Sequence, residues 1–200
     1  MKKTNWVLTL SFFVLFLFLS ACGSTNDGAG DDDDVESGNE TDTMEQENRS
    51  VEPIDVTLKN SDGDNVGTAE LEGVDEGVKM TLDATHLPPG THAIHFHETG
   101  SCEAPDFKSA GDHFNPTEAE HGLENTEGPH AGDLPNIEVA EDGTVKDEIV
   151  ADMVTLEKGE DNSLLDGDGT ALVIHADEDD NKSQPAGDAG DRIVCGEIAE

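Results

Sequence analysis

From Val51 onward the chain consists of short runs in which apolar and polar residues alternate. "IDVTLKN", "NVGTAELEGV" and "GVKMTLDAT" follow one another, divided by "SDGD" and "DEG". A period of two puts one set of side chains on a core face and the other in water, and the Gly- and Asp-rich breaks are hairpin signals. "THAIHFHE", "NIEVAED", "GTVKDEIVADMV", "TALVIHA" and "DRIVCGEIA" add five further candidate strands. Eight strands and few helical windows predict an all-β fold, an eight-stranded Greek-key barrel or sandwich. One stretch does not alternate. From about Thr99 to Pro135 the chain is rich in Gly, Pro, Asp and His, and so long a loop needs something to order it.

The first fifty residues are of another kind. Lys2 and Lys3 precede a largely apolar run of sixteen residues, Trp6 to Ala21. That is short for a membrane-spanning helix, which needs about 20 residues, and it matches the plan of a secretory signal. The end, "LSAC" at Leu19 to Cys22, resembles the lipobox of bacterial lipoproteins. The resemblance implies cleavage before Cys22, acylation of that cysteine, and a membrane anchor on the extracytoplasmic side. Residues 23–50 hold ten carboxylates and almost no apolar residues, the composition of a disordered, self-repelling tether. A flexible chain of that length spans roughly 30 Å. The expected plan is therefore a leader over 1–21, a lipidated cysteine and tether over 22–50, and a folded domain over 51–200.

Charge and aromatic content narrow the picture. Ten Lys and Arg stand against 47 Asp and Glu, a net −37. Nucleic acid carries the same sign and is a poor partner. There is no Tyr, the only Trp is in the leader, and only Phe96, Phe107 and Phe114 remain beyond it. The core must come from Val, Ile, Leu and Ala, which suits β packing.

The chemistry lies in the histidines. In a strand alternate side chains share a face, so His95 and His97 point one way and Phe96 the other. Two imidazoles at that spacing can bind one metal, but such a pair is often only polar surface. The loop adds His113, His121, His130 and Asp133, three imidazoles and a carboxylate, a closed tetrahedral set suited to structural zinc. His175 ends the strand "TALVIH", where it can turn back to the first pair.

With these residues in view, "HAIHFHETGSC", "SAGDHFNP", "EHGLENTEGPHAGDLPN", "LLDGDGTALVIHADEDD" and "AGDAGDRIVCG" resemble the copper/zinc superoxide dismutases, above all the bacterial secreted branch. The likeness covers about residues 52 to 199, with long metal-binding loops on the β-barrel. It implies copper on His95, His97, His113 and His175, and zinc on His113, His121, His130 and Asp133, with His113 bridging. It also implies a disulfide between Cys102 and Cys195, and a carboxylate, Asp179, that hydrogen-bonds ligands of both metals, although Asp177 and Asp180 are close neighbours. Arg192 takes the place of the arginine that holds the substrate anion, and His92 that of a loop-pinning histidine. His86 matches nothing and reads as surface. Where the family has "HGFHVH", this chain has "HAIHFH", so Ala93, Ile94 and Phe96 change the packing behind the ligands.

The implied activity is dismutation of superoxide to oxygen and hydrogen peroxide, with His113 and Arg192 as the catalytic side chains. A metal-binding lipoprotein without turnover is the alternative, and retention of all four copper positions and Arg192 weighs against it. A zinc hydrolase would need an open zinc position, whereas four protein ligands already fill this one. The strong negative charge predicts weak steering of superoxide. Either a monomer or a homodimer is compatible with the sequence.

Overall fold

The computed structural model describes residues 52–199. The expected leader, Cys22 and the acidic tether lie outside the described residues. Nine strands run through the described part: β1 (Ile54–Asn60), β2 (Asn65–Val74), β3 (Gly77–Ala84), β4 (Gly90–His92), β5 (Ile94–His97), β6 (Ile137–Val139), β7 (Val145–Ala151), β8 (Thr170–His175) and β9 (Arg192–Ile198). Among the described residues a single 3₁₀ turn covers Lys108–Ala110. Seven strands form one antiparallel sheet in the order β5-β8-β9-β1-β2-β3-β7, and β4 pairs with β6. Strands β1, β2 and β3 are hairpin neighbours, whereas β9 returns to β1 and β7 to β3, the long crossings of a Greek-key fold. With β6 beside β7, the sheet curls into a barrel.

The alternation places the core as expected. In β1, Val56 and Leu58 are buried while Asp55 and Thr57 are exposed; in β3, Val78, Met80, Leu82 and Ala84 all point inward. β5 and β8 differ, because every residue in them is buried. Their inner face, with Ile94, Phe96, Leu172 and Ile174, joins the main core. Their outer face is roofed by loops, and there Ala171, Val173 and Cys195 pack against Phe107 and Ala110. His95 and His97 are on that outer face, opposite Phe96, so the roof converts a half-exposed strand surface into a buried polar site.

Two elements depart from the sequence pattern. The expected fourth strand divides at Ala93, where the chain leaves β6 and begins to pair with β8. Ala93 N–H donates to the Asp177 carbonyl, and the Ala93 carbonyl accepts from His175 N–H, both at 2.9 Å. Eight expected strands thus become nine segments. The long loop is also tied to the sheet as a partial extra strand. Phe96 N–H donates to Gly132 O, Gly132 N–H to Phe114 O, and Phe114 N–H to Phe96 O, at 2.8–2.9 Å. A Cβ on Gly132 would stand 2.4 Å from the Phe96 carbonyl, so only glycine allows this approach.

The disulfide joins Cys102 in the loop to Cys195 in β9 across 93 residues of sequence. Glu197 Oε1 accepts from Cys102 N–H at 2.9 Å and holds the same corner. Closing so long a loop restricts the unfolded chain by about 4–5 kcal/mol in the chain-entropy model. Replacing both cysteines by serine is therefore expected to lower stability by about that amount in denaturant unfolding of the metal-free domain. A loss below about 1 kcal/mol would contradict it.

Candidate metal centre

Six histidines and Asp133 converge beneath the loop roof, all buried. His95, His97, His113 and His175 each present one ligand atom, and these atoms lie within 4.8 Å of one another; so do those of His113, His121, His130 and Asp133. His113 belongs to both sets. β5 supplies His95 and His97, the end of β8 supplies His175, and the loop supplies the remainder. Register brings these elements together, since His95 bridges to Asp133 and His97 to His113 as antiparallel partners.

The hydrogen bonds decide which ring atoms remain open. His95 Nε2–H donates to Asp179 Oδ2 at 2.8 Å, which leaves Nδ1. His97 Nδ1–H donates to the Gly111 carbonyl at 3.0 Å, which leaves Nε2, 3.4 Å from His175 Nε2. His113 Nδ1 approaches Asp133 Oδ1 at 2.9 Å, leaving Nε2 on the other side. His95 Nδ1 and His113 Nε2 are buried without any hydrogen-bond partner, a costly state for polar atoms that a bound metal would relieve. Four imidazoles without a carboxylate suit copper.

The second set closes around one oxygen. His113, His121 and His130 bring Nδ1 to 2.9, 3.1 and 3.3 Å from Asp133 Oδ1. Asp133 Oδ2 is already occupied, accepting from Gly122 N–H and His130 N–H. Three nitrogens and one oxygen, with no fifth protein donor, are the donor set of a structural zinc site.

Asp179 joins the two sets. Besides His95 it accepts from His121 Nε2–H at 3.0 Å, and it is buried, whereas Asp177 and Asp180 are exposed. Asn136 holds Asp179 in place by reciprocal bonds at 2.9 Å to its backbone N–H and C=O. His92 contacts the Pro88 and His175 carbonyls, both at 2.8 Å, and so anchors the strand end that carries His175. His86 is exposed. Arg192 donates to the Phe107 and Gly111 carbonyls at 2.8 and 2.7 Å. It borders a cleft of about 570 Å³ that reaches His97, His113 and His175.

Residues 65–198 match the copper/zinc superoxide dismutase (SODC) family. The chain belongs to that family. Superoxide dismutase [Cu-Zn] 1 of Aquifex aeolicus is 52% identical over 142 residues, 70% of this chain and 84% of that protein. The superoxide dismutase-like protein YojM of Bacillus subtilis is 46% identical over 145 residues, 72% of this chain and 74% of its own length. Among solved structures, the SOD-like protein from Bacillus subtilis superposes with a TM-score of 0.71 at 44% identity, covering 74% of this chain and 99% of that one. The Cu/Zn superoxide dismutase from Brucella abortus gives 0.61 at 27% identity, with the same two coverages.

Asn136, Gln184 and the Gly111 and Phe107 carbonyls support the site but were not singled out from sequence. Each acts through or upon a backbone group, and such bonds leave no residue pattern to read.

Burial keeps the His97, His113 and His175 imidazoles neutral. Desolvation, with neighbouring imidazoles adding to it, lowers His97 to about 2 and His175 to about 3. Desolvation and the His95 ring lower His113 to about 4, against the pull of Asp133. For His121, burial acts downward, but hydrogen bonds to Asp133 and Asp179 prevail and raise it to about 9. In Asp133 and Asp179 desolvation acts upward, yet the imidazole hydrogen bonds win and hold both carboxyls below the usual range.

The three lowered histidines bind protons first in the unfolded chain. Their contribution to stability is full above about pH 6.5 and falls away as the pH drops towards 4, 3 and 2. The raised His121 works oppositely, stabilising below about 6.5 and losing that effect as pH rises through about 9. The thermal midpoint of the metal-free domain should therefore fall from pH 6.5 to 4. A midpoint that holds or rises over this range would contradict the three lowered histidines, because the His121 contribution is already complete below about 6.5.

Proposed function

We infer that the chain is a copper- and zinc-dependent superoxide dismutase, converting superoxide to oxygen and hydrogen peroxide. The observation that carries this reading is the pair of donor sets sharing His113, with a cleft bordered by Arg192 leading to one of them. Bound copper supplies a one-electron Cu(II)/Cu(I) couple, and bound zinc a fixed charge without redox change. His95, His97, His113 and His175 would hold the copper; His113, His121, His130 and Asp133 would hold the zinc. Arg192 offers a planar, positively charged fork to a small anion, and its bonds to two backbone carbonyls fix its orientation. His113 carries an open Nε2 facing the copper set, the atom positioned to take up a proton and pass it to the reduced product. Two superoxides and two protons enter; one dioxygen and one hydrogen peroxide leave.

Charge around the cleft supports weak steering. Lys108 pairs with Asp106 and Lys182 with Glu124, each at 2.6 Å, so these cations are locally compensated. The cleft itself is lined by Glu98, Asp112 and Asp188, with Arg192 as its one Lys or Arg. The far field is that of a net −37 chain.

The test is to quantify bound copper and zinc together with superoxide consumption, with and without cyanide, across ionic strength. Expected are both metals, cyanide-sensitive turnover, and a rate that holds or rises as salt screens the repulsion. Full zinc with no copper and no turnover would favour the inert binder, and a rate that falls with salt would refute weak steering.

We further propose that acylated Cys22 anchors the enzyme to the extracytoplasmic side of the cell membrane. The basic start, the apolar run and "LSAC" support this, and two or more acyl chains suffice for stable anchoring. Cys22→Ser is expected to shift the protein from the membrane fraction to the medium. Equal membrane retention by both forms would sink the anchor.

A further inference from the structure

We propose that Gln184 is a positioning residue that straps the wall of the anion cleft to the zinc-side ligand His121. The side chain of Gln184 treats the His121 peptide as a sheet neighbour would. Its Oε1 accepts from His121 N–H and its Nε2 donates to the His121 carbonyl, both at 2.9 Å. The Lys182 carbonyl accepts a further bond from Nε2 at 3.2 Å. Gln184, Pro185 and Ala186 in turn form one side of the cleft. One amide therefore connects a surface that the substrate meets to the backbone of a metal ligand 63 residues away in sequence.

Other contacts between the two segments cannot do the same work. A Cβ on Gly122 would stand 2.1 Å from the Asn181 carbonyl, and one on Gly187 would stand 1.9 Å from Asp179 Oδ1. These glycines permit close approach but supply no directed attraction. The Lys182–Glu124 ion pair is largely exposed and contributes little to holding geometry. Asp179 fixes the His121 ring, and Gln184 ties its backbone to the cleft wall, whereas Asn125 Nδ2, which also donates to the His121 carbonyl at 3.1 Å, holds it only within its own loop. A shift of His121 when its metal leaves is then passed to the cleft wall, which couples zinc occupancy to anion binding.

This inference rests on reading the His121 set as the zinc site and the cleft as the anion route. The test uses the full chain loaded with both metals and compares Gln184→Ala, Gln184→Glu and the outer-pair control Lys182→Ala. Zinc transfer to a chromogenic chelator and azide affinity, read from the copper absorption, are the measurements. Gln184→Ala is expected to release zinc roughly tenfold faster, the loss of two backbone-directed bonds, and to weaken azide binding several-fold at unchanged copper content. Gln184→Glu keeps only the acceptor for His121 N–H and should recover part of the zinc retention. Lys182→Ala should stay within about twofold of the parent on both readouts.

A folded Gln184→Ala with parental zinc release and azide affinity overturns the proposal, as does Lys182→Ala matching its effect. A lowered thermal midpoint with unchanged azide affinity would reduce Gln184 to a structural role and also overturn it. If Gln184→Ala does not fold, parental zinc release in Gln184→Glu overturns it, and faster release supports it. A parent chain that takes up zinc but shows no turnover overturns the dismutase reading instead, while its zinc release still tests the strap.

Discussion

Everything in this domain depends on burying imidazole nitrogens that have no protein partner. His95 Nδ1 and His113 Nε2 are closed off from water without a hydrogen bond. An unpaired buried polar group costs about 1–3 kcal/mol, and two of them under one roof make a site that is incomplete as protein alone. Asp133 and Asp179 relieve part of this by accepting from the rings that can donate. What they leave open faces the copper set, while the zinc-set nitrogens crowd around one Asp133 oxygen. The metal ions are thus the missing partners of the fold as well as the reactive centre, and metal affinity and loop order become one free energy.

That dependence explains why the roof is fastened so heavily. A loop of Gly, Pro, Asp and His has little apolar surface with which to fold itself. It is held by ladder bonds to β5 through Gly132 and Phe114, by the Cys102–Cys195 bridge, and by the small cluster of Phe107 and Ala110 over β8 and β9. The same loop lends its backbone to the chemistry. The Gly111 carbonyl accepts from both His97 and Arg192, so the orientation of a copper-set ring and that of the anion-facing arginine share one atom. Displacing that carbonyl disturbs both.

The strands and the ligands were legible in the sequence for different reasons. Alternation in β1, β2 and β3 follows directly from one wet and one dry face, and those strands are where the pattern puts them. His95 and His97 were placed on one face by the same period, which holds because β5 is regular between them. The division at Ala93 was invisible, since "THAIHFHE" keeps its polarity pattern while the chain changes partners from β6 to β8. Choosing Asp179 over Asp177 and Asp180 needed burial, which three neighbouring acids in a loop do not reveal. Asn136 and Gln184 escaped notice because each bonds to peptide groups of a distant residue.

The acidity of the chain and its anionic substrate are reconciled by distance. At long range the net −37 disfavours approach, but exposed charges beyond about 8–10 Å are largely screened at physiological ionic strength. Within the cleft the local arrangement governs. Lys108 and Lys182 are each matched to a carboxylate, whereas Arg192 is satisfied by carbonyl oxygens, which orient it without cancelling its charge. Half-burial then strengthens the field that Arg192 exerts over a few ångströms, because less water screens it. Asp112, whose charge acts on Arg192, partly opposes this at the rim. Capture therefore rests on short-range binding at Arg192 after an unaided encounter, and the solvated acidic surface need not be compatible with attraction from afar.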